Sequence, residues 1–281
     1  MKSEFNFSLI RENGQIIDMH EKDWWVSRFR IQPPSFNRTT EKVDGMHGVI
    51  ETGVVFDTRS INVMIQLEGY DPIDFDYLRD EIYRTFNPLE EFSIIRDLQP
   101  GKRYVVKVAN LTGVDYEDGS LEDGYFEVEF VMLQPFAQSV KKSMDLHHYK
   151  EWDVGFWQWN MGLDWDVMPK YAFNLGNFVV INIGDIPIDP RQHELEITIK
   201  ATAVSFLQIT NHTTGDVYRY TGALAESDTL VLKGVRTLKN GASAFKNTNF
   251  RLLTLKVGSN RFSVTGGTVH SVAFNFPFLY M

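Results

Sequence analysis

The segment that most constrains this chain is residues 71–87, DPIDFDYLRDEIYRTFN, the only stretch that reads as a long helix in a sequence otherwise patterned as strands. Phe75, Leu78, Ile82 and Phe86 recur at spacings of three, four and four, which sets them on one face of a 3.6-residue period. Asp71 is the expected N-cap, with Pro72 pre-set for the first helical position. Acidic residues crowd the first turns, where the helix dipole favours them. Pro88 disfavours the helical region at the residue before it, so a helix over 72–87 is expected. Just upstream, Ile61, Val63, Ile65 and Leu67 point one way and Asn62, Gln66 and Glu68 the other, with Met64 the exception. That is a strand with one buried face. It offers a partner for the apolar face of the helix, where each side chain buried contributes about 1.5–3 kcal/mol before entropy.

A chain of 281 residues exceeds what one core usually holds, so two domains are expected. The 21 Phe and 11 Tyr, with many Val, Ile and Thr, favour β structure. No cysteine is present, which excludes a disulfide scaffold, a thiolate zinc site and a cysteine nucleophile. The opening MKSEFNFSLIREN holds no apolar core of signal-peptide length, and no run of about 18 apolar residues occurs. Neither export by a leader nor membrane insertion is expected. A formal net charge of −9 argues against gripping nucleic acid through its phosphates.

The first half reads as a small barrel or sandwich carrying the helix. Phe5–Ile10 alternates, Asn13-Gly14 is a hairpin signal, and Gln15–Met19 is the return strand. Trp24–Ile31 runs to Pro33-Pro34. Phe36–Gly53 reads as a long loop or hairpin arm. Val49–Phe56, Phe92–Ile95, Tyr104–Val114 and Tyr125–Leu133 are further strands, the last two joined by the acidic loop Asp115–Gly124. Residues 135–150 have no sustained period, which places a domain boundary there, with domains at 1–137 and 138–281. From Tyr171 onward short strands recur at roughly 8–12-residue spacing, the signal of a sandwich or barrel, and a jelly-roll-like β-sandwich is the expected architecture. The expected strands include Leu195–Ala201, Ser205–Thr210, Leu252–Val257, Arg261–Thr265 and Val269–Phe276. Turns are expected at Thr214-Gly215, Asn240-Gly241, Gly258-Ser259-Asn260 and Gly266-Gly267.

Reactive chemistry is thinly represented. Gly101-Lys102 lacks the earlier glycine of a phosphate loop, and no G-x-S-x-G elbow occurs. The acidic loop, started at Asp115, has Ser120 where a calcium hand needs glycine, so a solvated hairpin tip is expected. His147 and His148 are adjacent and have no second ligand pair, and His20, His47, His193, His212 and His270 are scattered. No catalytic residue, cofactor or metal is expected. The group Trp152, Trp157, Trp159 and Trp165 stands out. It reads as the cover of a β core or a subunit contact, and alternatively as a platform stacking on sugar rings.

A series of motifs in the second half runs WDVGFWQWNMGLDWD, NFVVINIGDIPIDPRQHELEITIKA, ITNHTTGDVYRYTG, DTLVLKGVRTLKNG and LKVGSNRFSVTGGTVHSVAFNFPFLY. Together they resemble the distal tail proteins (Dit) of long non-contractile-tailed phages of Gram-positive bacteria. INVMIQLEGYD, DYLRDEIYRTFN and GKRYVVKV in the first half follow the same family's order. The resemblance covers most of residues 1–281 and implies an N-terminal split β-barrel with one α-helix, followed by a galectin-like or carbohydrate-binding-module-like sandwich. It implies a non-enzymatic structural virion protein, a homohexameric ring at the tail tip through which DNA passes without sequence-specific recognition. The ring would join the tail tube and tape-measure end to the tail-associated tip protein and to baseplate or receptor-binding proteins. Such a protein is made in the host cytoplasm, from a phage or prophage gene. The alternative is a protein that recognises host wall or capsule glycans through the C-terminal sandwich. A wall hydrolase ranks third, since no pair of carboxylates advertises a cleft.

Overall fold

The structure is a computed structural model that describes residues 2–116, 123–148, 155–164 and 168–281. Its contacts divide the chain into two compact units, Met1–Gln138 and Ser139–Tyr280.

The first unit holds β1 (Phe7–Arg11), β2 (Ile16–Asp18), β3 (Trp25–Ile31), β4 (Phe36–Glu41), β5 (Ile50–Phe56), β6 (Arg59–Glu68), α1 (Pro72–Thr85), β7 (Glu91–Arg96), β8 (Gln99–Leu111), β9 (Asp115–Tyr116) and β10 (Asp123–Met132). The main sheet runs β2-β1-β7-β8-β10-β6-β3, with β9 beside β10. It curls until Phe7 of β1 meets Phe29 of β3 at 5.3 Å between ring centres, and no ladder closes it into a barrel among the described residues. The β1–β2 hairpin turns at Gly14, whose φ of 83° is one that side chains with a Cβ rarely adopt. In β6 the alternation is as the sequence requires: Ile61, Val63, Ile65 and Leu67 are buried.

Helix α1 starts where its N-cap predicts. Asp71 Oδ1 accepts from the N–H groups of Ile73 and Asp74, each at 2.8 Å. Asp74 in turn accepts from the Tyr70 N–H at 2.9 Å, so two orphan groups of the first turn and its approach are satisfied together. Phe75, Ile82 and Phe86 are buried. The helix ends at Thr85, two residues before the expected end, because Phe86 leaves helical geometry to stack on Trp24 at 5.9 Å and meet Phe126 at 5.7 Å.

Residues 137–148, within the stretch expected to be an irregular linker, are regular structure. β11 (Ala137–Lys142) carries the chain from one unit to the next, and the short helix α2 (Ser143–His148) follows. Ser143 is buried, donates through Oγ to the Phe274 carbonyl at 2.8 Å, and accepts from the Phe276 N–H at 3.1 Å. These are tertiary bonds that local sequence does not announce.

The second unit continues with β12 (Ala172–Phe173), β13 (Asn177–Asn182), β14 (Glu196–Asn211), β15 (Asp216–Thr221), β16 (Leu230–Lys233), β17 (Arg236–Lys239), β18 (Ala242–Ser243), β19 (Gly258–Asn275) and β20 (Pro277–Tyr280). Two expectations are corrected here. The pairs of strands read at 195–210 and 261–276 are single strands, β14 and β19, which pair with each other along most of their length. Gly266-Gly267 is therefore a bulge and not a hairpin turn. A Cβ on Gly266 would lie 2.6 Å from the Phe206 carbonyl oxygen, and one on Gly267 would lie 2.5 Å from the Thr202 carbonyl oxygen. The glycines let two bent strands approach where they pass from one layer to the other. One layer holds β13, β15 and the near halves of the long strands. The other holds β12, β16, β17, β18 and the far halves. Phe262 and Phe274, from opposite halves of β19, meet at 5.0 Å between the layers. Leu252–Val257 also differs from expectation, since it makes only an isolated bridge, Leu255 to Ile188.

Candidate assembly surfaces

The titratable groups nearest to a reactive arrangement are occupied by structural bonds. Asp18 is partly buried, which pushes its pKa up. Bonds from the Asn6 amide and the His20 N–H, with Lys2 beside it, outweigh burial and hold the carboxyl below the usual range. His193 is pushed below the ordinary imidazole value, chiefly by burial, and its Nδ1 accepts from the Asp189 N–H at 3.2 Å. His212 and His270 bond to Ser263 and Thr202, each at 2.7 Å. Among the described residues no group of three or more His, Asp or Glu is arranged to hold a metal ion. The middle of the acidic loop, residues 117–122, lies outside the described residues, as do the side chains of His147 and His148. Among the described residues no helix is long and apolar enough to cross a membrane.

The surface with the most distinctive chemistry is the arm formed by β4 and β5, which among the described residues pair only with each other. Its base is fixed: the Asp57 N–H donates to the Ser35 carbonyl at 2.8 Å, and Phe56 meets Phe136 at 5.6 Å. Its tip turns through Gly45 and Gly48, both at positive φ. Arg38 and Glu51 pair across it at 2.9 Å. Yet Phe36, Ile50, Val54 and Val55 on the strands, and Met46 and Val49 at the tip, are all exposed, Val55 to 68%. A lone two-stranded ribbon is marginal in water, and apolar residues along free strand edges invite pairing with another chain. Chemically, this arm can lay apolar side chains on a partner surface or extend a partner's sheet. The sequence reading placed a loop or arm here and assigned it no role. The available signal was Val43, Met46, Val49 and Ile50 in a segment otherwise polar and glycine-rich.

The four tryptophans fall into different circumstances. Trp157 is 1% exposed and packs on Phe278 at 5.9 Å. Trp159, two residues on, is 78% exposed. Trp152 and Trp165 lie outside the described residues.

Residues 18–132, all of them within the arm-bearing first unit, match the phage tail protein RIFT-related domain. No curated protein sequence matches the chain. In structure the whole chain is similar to the Dit protein of phage SPP1, described as a paradigm of the hub adsorption apparatus in Gram-positive infecting phages. The identity is 12% and the TM-score 0.69, over 98% of this chain and 99% of that one. A weaker likeness, at 7% identity and a TM-score of 0.47 over 97% of each chain, is to a component of the phage P2 baseplate. Residues 18–132 thus resemble a phage tail domain, and the chain as a whole is mainly β with a fold similar to that of the SPP1 Dit protein.

Proposed function

We propose that six copies of this chain close into a ring at the tail tip, with residues 1–137 as the ring-forming split-barrel domain and residues 138–281 as an outward adaptor sandwich. The ring joins the tail tube and tape-measure end to the tail-associated tip protein and to baseplate or receptor-binding proteins, and DNA passes through its channel. No catalysis is involved. The observation that carries this reading is the β4–β5 arm, whose exposed valines and phenylalanines need a covering surface that another copy can supply. A net charge of −9 suits a channel that repels DNA and lets it slide. Light scattering with low-resolution imaging tests the ring. A species near six times 32.5 kDa with outward lobes is expected, in isolation or on addition of tail partners. A stable dimer with no ring under any condition refutes it.

The glycan-binding alternative draws support from the exposure of Trp159. Titration with host wall polysaccharide distinguishes it, with loss of binding in Trp159→Ala as the expected mark.

A further inference from the structure

Residues 229–281 contain seven of the chain's 28 lysines and arginines and none of its 37 aspartates and glutamates. This segment stands at +7 and the preceding 228 residues at −16, which together give the −9 of the whole. Two of the seven cations are neutralised, Lys233 by Glu196 at 3.3 Å and Lys239 by Asp228 at 2.9 Å. Arg236, Lys246 and Arg251 are exposed and make no ion pair among the described residues.

Two of these cations, Lys246 and Arg251, directly follow two exposed rings in the chain, and Arg236 adjoins the residue to which that segment is bonded. A single 3-10 turn, Phe245–Asn247, follows β18, and the Ala244 N–H donates to the Thr237 carbonyl of β17 at 2.9 Å, next to Arg236. Phe245 and Phe250 touch edge to face at 5.0 Å, 42% and 62% exposed. Arg251 follows directly. Asn249 fastens the segment to β15: its N–H donates to the Arg219 carbonyl and its Oδ1 accepts from the Arg219 N–H, each at 3.0 Å. Its Nδ2 donates to the Val217 carbonyl at 2.8 Å. Thr248 Oγ1 donates to the Phe245 carbonyl at 2.8 Å and accepts from the Phe250 N–H at 3.3 Å.

Phe250 has a φ of 57°. A bulky side chain seldom adopts the left-handed region, and such outliers persist where surrounding bonds enforce them and cluster at ligand sites. Here the enforcing bonds hold a large apolar ring in water, on a rigid support and beside unpaired cations. A preformed platform also loses little freedom when a ligand arrives.

We propose that Phe245 and Phe250, with Arg236, Lys246 and Arg251, form a binding site for an anionic polysaccharide. The apolar faces of its sugar rings lie on the two phenylalanines, and its carboxylates pair with the cations, bidentate at arginine. Charge complementarity selects an anionic ligand. Size selects a glycan over a protein, because Phe245 and Phe250, with the smaller exposed side chains of Val235 beside Arg236 and Val217 on β15, are too few for the core of a stable protein interface. Charge spacing selects against duplex DNA, which presents one phosphate per roughly 1.7 Å and no free ring face, and the single strand is left to the test. The site stands apart from the tryptophan segment and does not depend on ring assembly.

The test is calorimetric titration of the full-length protein at low salt with a galacturonate oligosaccharide, a dextran oligosaccharide of equal length, and oligo-dT. The galacturonate is expected to bind, to weaken as salt rises, and to bind at least tenfold more tightly than dextran or oligo-dT. Phe250→Gly removes the ring and relieves the backbone, and Arg251→Glu reverses a charge without touching the core. Each should weaken galacturonate binding at least tenfold, at a melting temperature close to that of the parent. The proposal is overturned by absence of galacturonate binding at millimolar concentration, by equal binding of dextran, by tighter binding of oligo-dT, or by unchanged affinity in the two variants.

Discussion

Phe86→Ala tests the packing of α1 most directly. Phe86 is 1% exposed and lies among three aromatic rings: Trp24 at 5.9 Å, Phe126 at 5.7 Å and Phe130 at 6.0 Å. Truncating a buried Phe costs about 3–5 kcal/mol, from lost transfer free energy and from the cavity left behind. Three aromatic neighbours, whose pair geometries each contribute about 0.5–1.5 kcal/mol beyond area, place this site near the upper end. For a unit the size of Met1–Gln138, an unfolding entropy of about 2.1 cal/mol/K per residue makes each kcal/mol worth roughly 3 °C. A fall of about 12–15 °C in the first unit's melting temperature is expected, read by scanning calorimetry. The change should also alter the fluorescence of Trp24, which loses its stacked ring. Phe86→Leu, which keeps most of the volume, should cost less than half as much. A fall under about 3 °C for Phe86→Ala would mean that α1 is not held by this cluster, and the packing argument would fail.

Three further outcomes follow from other parts of the fold. Gly266→Ala forces a side chain into a backbone with φ of 85° and against the Phe206 ring and carbonyl, so the second unit should lose at least about 2 kcal/mol in denaturant unfolding. Asp228 accepts from the Ala225 N–H, from Lys239 and from the Asn240 amide, which together hold its pKa down to about 2, below the roughly 3.9 of an unfolded aspartate. A depressed folded pKa means stabilisation that is complete above about pH 4 and is lost as pH falls towards 2, so Asp228→Asn should flatten that part of the stability–pH curve, measured by acid titration of the melting temperature. Val55→Asp, on the exposed arm, should leave the monomer's melting temperature unchanged while abolishing the oligomer in light scattering. Persistence of the oligomer would remove the arm from the subunit contact.

Much of the local structure was legible because it depends on residues near in sequence. The N-cap of Asp71, the 3.6-residue period of α1, the alternation in β6 and the turns at Gly14, Gly215 and Gly241 are all set within a few residues. The candidate surfaces were less legible. Trp157 and Trp159 look alike in sequence, yet Trp157 is buried against Phe278, more than a hundred residues away, and Trp159 is largely exposed. The Phe245–Phe250 pair carries no period or motif. Its meaning comes from the bonds of Asn249 and Thr248 and from unpaired cations on neighbouring elements.

The sequence by itself determined the mainly β class, the one long helix and its start, and the chain's lack of thiol chemistry, because propensity, capping and composition act locally. Tertiary structure alone decided that Gly266-Gly267 is a bend within one long strand, that residues 137–148 are strand and helix, and that the β4–β5 arm stands without a covering sheet among the described residues. A glycine pair permits a turn or a bulge equally, and an alternating ribbon is buried or bare according to what lies over it. Those choices belong to long-range packing, which no local window contains.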